Sequence, residues 1–258
     1  WGFSRMGREN DDLYLRYIVS RLSAFRNIWW SLANEFDLME MVVPGNNETP
    51  AKKAEDWERF AFIIRNNDPY GHLISVHNCL RMFDHKKPWV THCSIQRTDV
   101  YRTAENTDQW RKEFDKPVVI DECAYEGNID HGWGNITGQE MTRRFWEGVL
   151  RGGYVSHGET YTHPQNILWW SHGGELYGSS PARISFLKKI LENAPSAISP
   201  VKRSQGGFDP NWDVTVGTAG ENYFLYYFGF NQPSLRTFKM LGGVRYHVDI
   251  IDTWDMTI

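Results

Sequence analysis

Short apolar runs that each stop at a polar or charged residue recur along this chain, separated by stretches of helical periodicity. Ile28–Ala33 ends in Asn34 and Glu35, His72–Val76 in His77 and Asn78, Trp89–Ile95 in Gln96, and Pro117–Ile120 in Asp121 and Glu122. Buried parallel strands read this way, apolar along their length with polar side chains emerging at the carboxyl end. Between them lie segments with apolar residues at helical spacing: Asp11–Arg26, Lys52–Asn66, about Val100–Phe114, Gln139–Arg151 and about Pro181–Leu191. In the second of these Trp57, Phe60, Ala61 and Ile64 share one face. A fifth strand is expected near Tyr154–His157. The pattern predicts an α/β domain with parallel strands and functional side chains at their carboxyl ends.

After Pro195 the pattern changes. Asn222–Phe228, Leu235–Met240 and Tyr246–Asp252 read as antiparallel strands joined by Gly, Asn and Pro turns, predicting a separate all-β module. The expected division is 1–197 for the α/β domain and 198–258 for the β module.

The balance of 28 Lys and Arg against 32 Asp and Glu, spread without a basic stripe, argues against nucleic acid and anionic membrane as partners. No apolar run approaches the roughly 20 residues that span a bilayer. Cys79, Cys93 and Cys123 are too few and too irregularly spaced for a disulfide framework or a metal knuckle. Aromatic residues make up 15% of the chain, with 12 Trp and 12 Tyr, which suits a cleft paved for the flat faces of sugars as well as it suits core packing.

Glycosidic bonds are broken by two carboxyl groups in different protonation states, and Glu35 and Glu122 stand apart because each closes an apolar strand. Two strands intervene between theirs. The plainer roles are a carboxylate at a helix N-terminus for Glu35 and a rim salt bridge for Glu122. Glu126 competes for the nucleophile role but lies beyond the strand, where a loop or supporting position is expected. His77 and Gln96 close the intervening strands and are placed to touch substrate or orient a carboxylate. His157, Glu159 and either Trp169 or Trp170 are candidates for the floor and wall of a sugar site. A metal-dependent hydrolase is the competing chemistry, since His77, His92, His157, His163 and His172 lie near strand ends. No HxH or HExxH pattern supports it, so neither metal nor cofactor is expected. A non-catalytic carbohydrate-binding protein is the third reading.

The segments Trp30–Asp37 and Lys116–Gly127 resemble clan A glycoside hydrolases, whose acid/base and nucleophile close strands four and seven. More narrowly they resemble the apiosidase-like and uncharacterised barrel families that carry a small C-terminal β domain. The resemblance implies a retaining O-glycosyl hydrolase acting on a poly- or oligosaccharide. Glu35 would be the acid/base, Glu122 the nucleophile, Asn34 a ligand of the sugar 2-hydroxyl and one of Trp169 and Trp170 the platform. It also implies a (β/α)8 TIM barrel represented by strands four to eight, followed by an antiparallel β-sandwich module, with the first barrel half supplied by the same or another chain. A secreted or periplasmic location would fit, and a cytoplasmic one is possible. An acid and a carboxylate facing each other across a closed cleft keep different protonation states. In a retaining enzyme the two lie roughly 5 to 5.5 Å apart.

Overall fold

A computed structural model describes residues 2–38, 52–96, 104–162, 165, 175–201 and 209–258. They fall into two compact units, 1–97 with 110–121 and 98–109 with 122–258.

The first unit opens with a short helical turn and helix α1 (Arg8–Leu22), followed by β1 (Trp30–Ser31), α2 (Ala54–Asn67), β2 (Ile74–Ser75) and β3 (Cys93–Gln96). Helix α2 buries Trp57, Phe60, Ala61 and Ile64, the stripe that spacings of three and four residues select. Helix α1 answers with Leu15 and Val19, while Leu13, Tyr17 and the following Phe25 are exposed. The apolar content of α1 therefore exceeds its inward face. An ion pair pins the two helices: Asp11, 1% exposed, accepts from Lys52 at 2.7 Å and Arg59 at 3.2 Å. Strands β1 and β2 pair in parallel, Trp30 opposite Ile74, and a parallel bridge between His77 and Ser94 carries the sheet on to β3. Next comes β4 (Val118–Glu122), with Val118, Val119 and Ile120 buried.

The second unit takes up the chain at Glu122. It contains β5 (Glu126–Gly127), the last two helices and β6 (Tyr154–Val155), with α3 (Thr107–Phe114) straddling the division. Helix α4 (Gly138–Leu150) starts where the Thr137 hydroxyl accepts the Glu140 amide, and it buries Met141, Phe145, Trp146 and Leu150. Then come β7 (Glu159–Thr160), which pairs in parallel with β5, and α5 (Ser180–Glu192). The last strands form an antiparallel sheet of β8 (Ser199–Pro200), β9 (Thr215–Ala219) and β10 (Tyr223–Tyr227) in the order β10-β9-β8. Trp146 of α4 stacks on Tyr227 of this sheet with ring centroids 5.3 Å apart.

All five strands expected of the α/β region are present but short. The C-terminal expectation needs correction. Of its three strands only the first, Tyr223–Tyr227, is a strand, and its partners are β9 and β8, so the described residues hold one three-stranded sheet and no sandwich. Leu235–Met240 forms no strand, and Tyr246–Asp252 pairs only at its last residue, where Asp252 makes an isolated antiparallel bridge to Thr257; Leu235, Val248 and Ile250 are 84%, 78% and 87% exposed. Strand preference is a preference for a half-buried pleated surface, and these β-prone residues meet none here. Among the described residues no helix is long and apolar enough to cross a membrane.

Candidate active site

The pairing of β1 with β2 continues beyond the strands themselves. The His77 amide donates to the Ala33 carbonyl at 3.2 Å and the Phe36 amide to the His77 carbonyl at 2.9 Å, holding Asn34 and Glu35 at the strand end. Glu35 is half-buried and sits at φ 55°, a left-handed conformation uncommon for a residue with a side chain. What holds the turn is Asp37. Fully buried, its carboxylate accepts the amides of Cys79 at 2.6 Å, Leu80 at 3.0 Å and Arg81 at 2.7 Å. Burial pushes the Asp37 carboxyl up, but those three amides outweigh it and leave it below the ordinary range. Asn34 reaches Glu35 Oε2 at 3.5 Å.

Behind this turn His77 lies in a polar network. Its Nδ1 is 3.1 Å from Asp121 Oδ2 and its Nε2 is 3.0 Å from the Gln96 side-chain amide. The network is satisfied when Nδ1–H donates to Asp121 and the Gln96 amide turns its NH2 toward Nε2, because amide oxygen and nitrogen are interchangeable by rotation. Ser94 also donates to Asp121 Oδ2. Asn78 and Gln96 clasp each other, Asn78 donating to the Gln96 carbonyl at 3.2 Å and the Gln96 amide to Asn78 Oδ1 at 3.1 Å. His77 and Gln96, the two polar strand ends singled out from the sequence, therefore touch. Asp121, the other partner of His77, is not among the residues that the sequence singles out. His92 stacks on Trp29 at 4.9 Å.

In the second unit Glu122 Oε2 accepts the Tyr125 hydroxyl at 2.5 Å. Ala124, at φ 74°, bends the chain so that Tyr125 folds back over the residue three positions earlier. The Tyr125 ring meets Trp133 edge-on at 5.9 Å, and His131 stacks on Trp133 at 5.6 Å. Trp133 is 37% exposed, which makes it an aromatic surface close to a strand-end carboxylate. Arg144, 1% exposed, donates to the Cys123 carbonyl and pairs with Glu140 at 2.7 Å, bracing the chain just after Glu122.

Glu126 has a different surrounding. It is 1% exposed and accepts five donors: the Ser179 amide and hydroxyl at 2.7 and 3.1 Å, the Ser180 amide and hydroxyl at 3.0 and 2.5 Å, and the Tyr161 hydroxyl at 3.1 Å. Burial pushes its carboxyl up, yet the Ser180 hydroxyl and the two amides hold it below the ordinary value. A carboxylate here also faces the positive end of α5. Glu159 takes the amides of Tyr177 at 2.8 Å and Gly178 at 3.0 Å, while His157 Nε2 meets the Ser180 hydroxyl at 3.1 Å. Burial pushes the His157 imidazole down, against the pull of Glu159 and Glu126. Ligand atoms of Glu126, His157 and Glu159 lie within 4.8 Å of one another, the one such group among the described residues. The chemistry of the set suits an anchor better than a cation: amide and hydroxyl hydrogens already converge on both carboxylates from Tyr177, Gly178, Ser179 and Ser180. Trp169, Trp170, His163 and His172 lie outside the described residues.

The profile of the family described as "Apiosidase-like, catalytic domain" matches residues 1–227, and that of a domain of unknown function, DUF5605, matches residues 212–258. None of the curated proteins matches. Among solved structures the chain resembles a provisionally assigned glycoside hydrolase from Bacteroides vulgatus ATCC 8482. That likeness has 37% identity and a TM-score of 0.74, over 87% of this chain and 41% of that one. It also resembles a glycoside hydrolase family 5 protein from the same organism, with 19% identity and a TM-score of 0.58, over 86% of this chain and 54% of that one. At that identity the second likeness speaks for the fold. The chain spans about half or less of the length of either structure.

Proposed function

Since the chain belongs to the apiosidase-like catalytic-domain family, we propose that it carries the catalytic carboxylates of a retaining glycoside hydrolase, with Glu122 as nucleophile and Glu35 as acid/base. In this reading β1, β2, β3, β4 and β6 take the places of barrel strands four to eight, residues 198–258 form an accessory β module, and the substrate is a poly- or oligosaccharide. The observation that carries the proposal is the contrast among three carboxylates of the matched region. Asp37 is buried and takes three backbone amides, and Glu126 is buried and takes two amides and three hydroxyls, whereas Glu122 ends a strand with a tyrosine hydroxyl and an aromatic wall beside it.

The chemistry follows from two carboxyl groups. Glu35 gives its proton to the glycosidic oxygen as the bond to the anomeric carbon breaks, and a Glu122 oxygen bonds to that carbon from the opposite face. The departing alcohol leaves neutral, and Glu35 is now a carboxylate. It then removes a proton from water, whose oxygen displaces Glu122 and restores both carboxyl groups to their starting states. Asn34, beside Glu35, is assigned to the sugar 2-hydroxyl, and His77 with Gln96 to the rim of the cleft. His157 and Glu159 would serve the sugar site by fixing the segment before α5, and Trp170 is the proposed platform.

The roles are separated by substrates differing in leaving group. Glu122→Ala abolishes turnover of every aryl glycoside, while Glu35→Ala spares a dinitrophenyl glycoside, whose leaving group needs no proton. Equal loss in both variants on that substrate contradicts the assignment. A non-catalytic sugar-binding protein would bind saccharide and turn over none of the panel.

A further inference from the structure

Glu122 is the end of a short chain of packing in which each member fixes the next. Tyr125 donates its hydroxyl to Glu122 Oε2 at 2.5 Å, within the range of a charge-assisted O–H···O⁻ bond. The ring that carries this hydroxyl is held on two sides. Trp133 meets it edge-on at 5.9 Å, and the backbone ties the two residues together, the Tyr125 amide donating to the Trp133 carbonyl at 2.7 Å. On the other side lies Gly158: a methyl group there would fall well inside van der Waals contact with Cδ1 and Cε1 of Tyr125, so the ring rests on bare backbone. Ala124 at φ 74° supplies the bend that turns residue 125 back toward residue 122. A left-handed alanine and a glycine under a ring are both local costs, and both serve to put one hydroxyl on one carboxylate.

We propose that Tyr125 is a positioning residue for Glu122: its hydroxyl holds the carboxylate ionised and fixed in its plane, and Gly158 is the space that lets the ring reach it. This rests on the nucleophile assignment for Glu122 but is tested separately from it. An O–H donor stabilises a carboxylate and does little for the neutral acid, so removing it makes the group easier to protonate. The orientation matters equally, because displacement at the anomeric carbon requires the attacking oxygen in line, and a pinned carboxylate loses less freedom in reaching that geometry.

The test follows the Glu122 carboxyl directly, without depending on substrate. With glutamate labelled at Cδ with carbon-13, the Glu122 signal is identified by its loss in Glu122→Gln and titrated in the parent, Tyr125→Phe and Gly158→Ala. The expected result is a rise in midpoint of about one to two pH units in Tyr125→Phe, the size of a hydrogen bond to a charged group. Gly158→Ala keeps every polar atom and should shift the midpoint the same way by displacing the ring. Combining the two substitutions should add little to Tyr125→Phe alone. On the aryl glycoside turned over fastest, the acid limb of kcat/KM should move up with the midpoint in Tyr125→Phe. A midpoint that stays put in both single variants overturns the proposal even if Glu122→Ala is inactive. Full activity of Glu122→Ala removes the nucleophile assignment, and this proposal with it.

Discussion

Glu122 and Glu126 are four residues apart and chemically identical, yet substitution by glutamine should affect the protein in opposite ways. In Glu126→Gln one carboxylate oxygen becomes an NH2. Oε1 takes the Ser179 amide at 2.7 Å and Oε2 the Ser180 amide at 3.0 Å, so either amide orientation leaves one backbone N–H facing another donor. A buried polar group left without a partner costs about 1–3 kcal/mol. Losing the negative charge from the N-terminus of α5 adds about 0.3–1 kcal/mol. The expected loss is about 3 kcal/mol, a large share of the roughly 5–15 kcal/mol by which domains are stable. For a domain of this size that lowers Tm by roughly 6–12 °C. The loss should also depend on pH. Folding depresses the Glu126 carboxyl, so its contribution is complete above the unfolded value of 4.5 and disappears as pH falls through the lower folded value. Parent and variant melting curves should therefore converge in acid. Glu122→Gln, at a half-buried strand end, should shift Tm by little and remove activity on every aryl glycoside. Thermal melts from pH 7 to pH 3, with activity read at pH 7, decide the matter. A Glu126→Gln protein that melts with the parent refutes the structural role, and one that is stable but inactive would move Glu126 into the catalytic machinery.

Three further outcomes are expected. His85 is fully buried between Phe83 and Phe114, neither ring nitrogen has a hydrogen-bond partner among the described residues, and burial with Lys116 nearby pushes it down to about 4 from 6.5. Between those values the unfolded chain binds the proton and the folded protein does not, so stability falls as pH drops, by up to about 3 kcal/mol for the gap of about 2.5 units. His85→Leu should abolish that part of the acid sensitivity, and a denaturation series at pH 7, 5.5 and 4.5 with parallel slopes would contradict it. Asp37→Asn leaves at least one of three amides near the Glu35 turn facing a donor, and should lower turnover of poor leaving groups more than of a dinitrophenyl glycoside. Thr137→Ala removes the cap of α4 and should cost about 1 kcal/mol by denaturant titration, with KM unchanged.

The α/β alternation was legible because burial is written in composition. Val118, Val119 and Ile120 are all buried, and the stripe from Trp57 to Ile64 falls where spacing puts it. What escaped the sequence depends on partners far along the chain. Glu126 looked like a loop residue because its role is set by Ser179 and Ser180, 53 and 54 positions away. Strands β5 and β7 have two residues each, too few for any periodicity, and exist through pairing with each other. The site was legible in part: the touching of His77 and Gln96 follows from adjacent strand ends, but Asp121 reaches His77 through the pleat of β4, which turns consecutive side chains to opposite faces. Tyr125 gave no periodic signal, since its approach to Glu122 depends on the left-handed Ala124 and on Gly158, more than thirty positions on.

Retention by two glutamates is the central claim, and the stereochemistry of the first product tests it most directly. Proton NMR of the hydrolysis of an activated aryl glycoside by the full-length protein, recorded before mutarotation, should reveal the sugar released first with the anomeric configuration of the substrate, because two inversions at one carbon cancel. The opposite anomer, appearing first and before equilibration, would contradict the covalent role of Glu122.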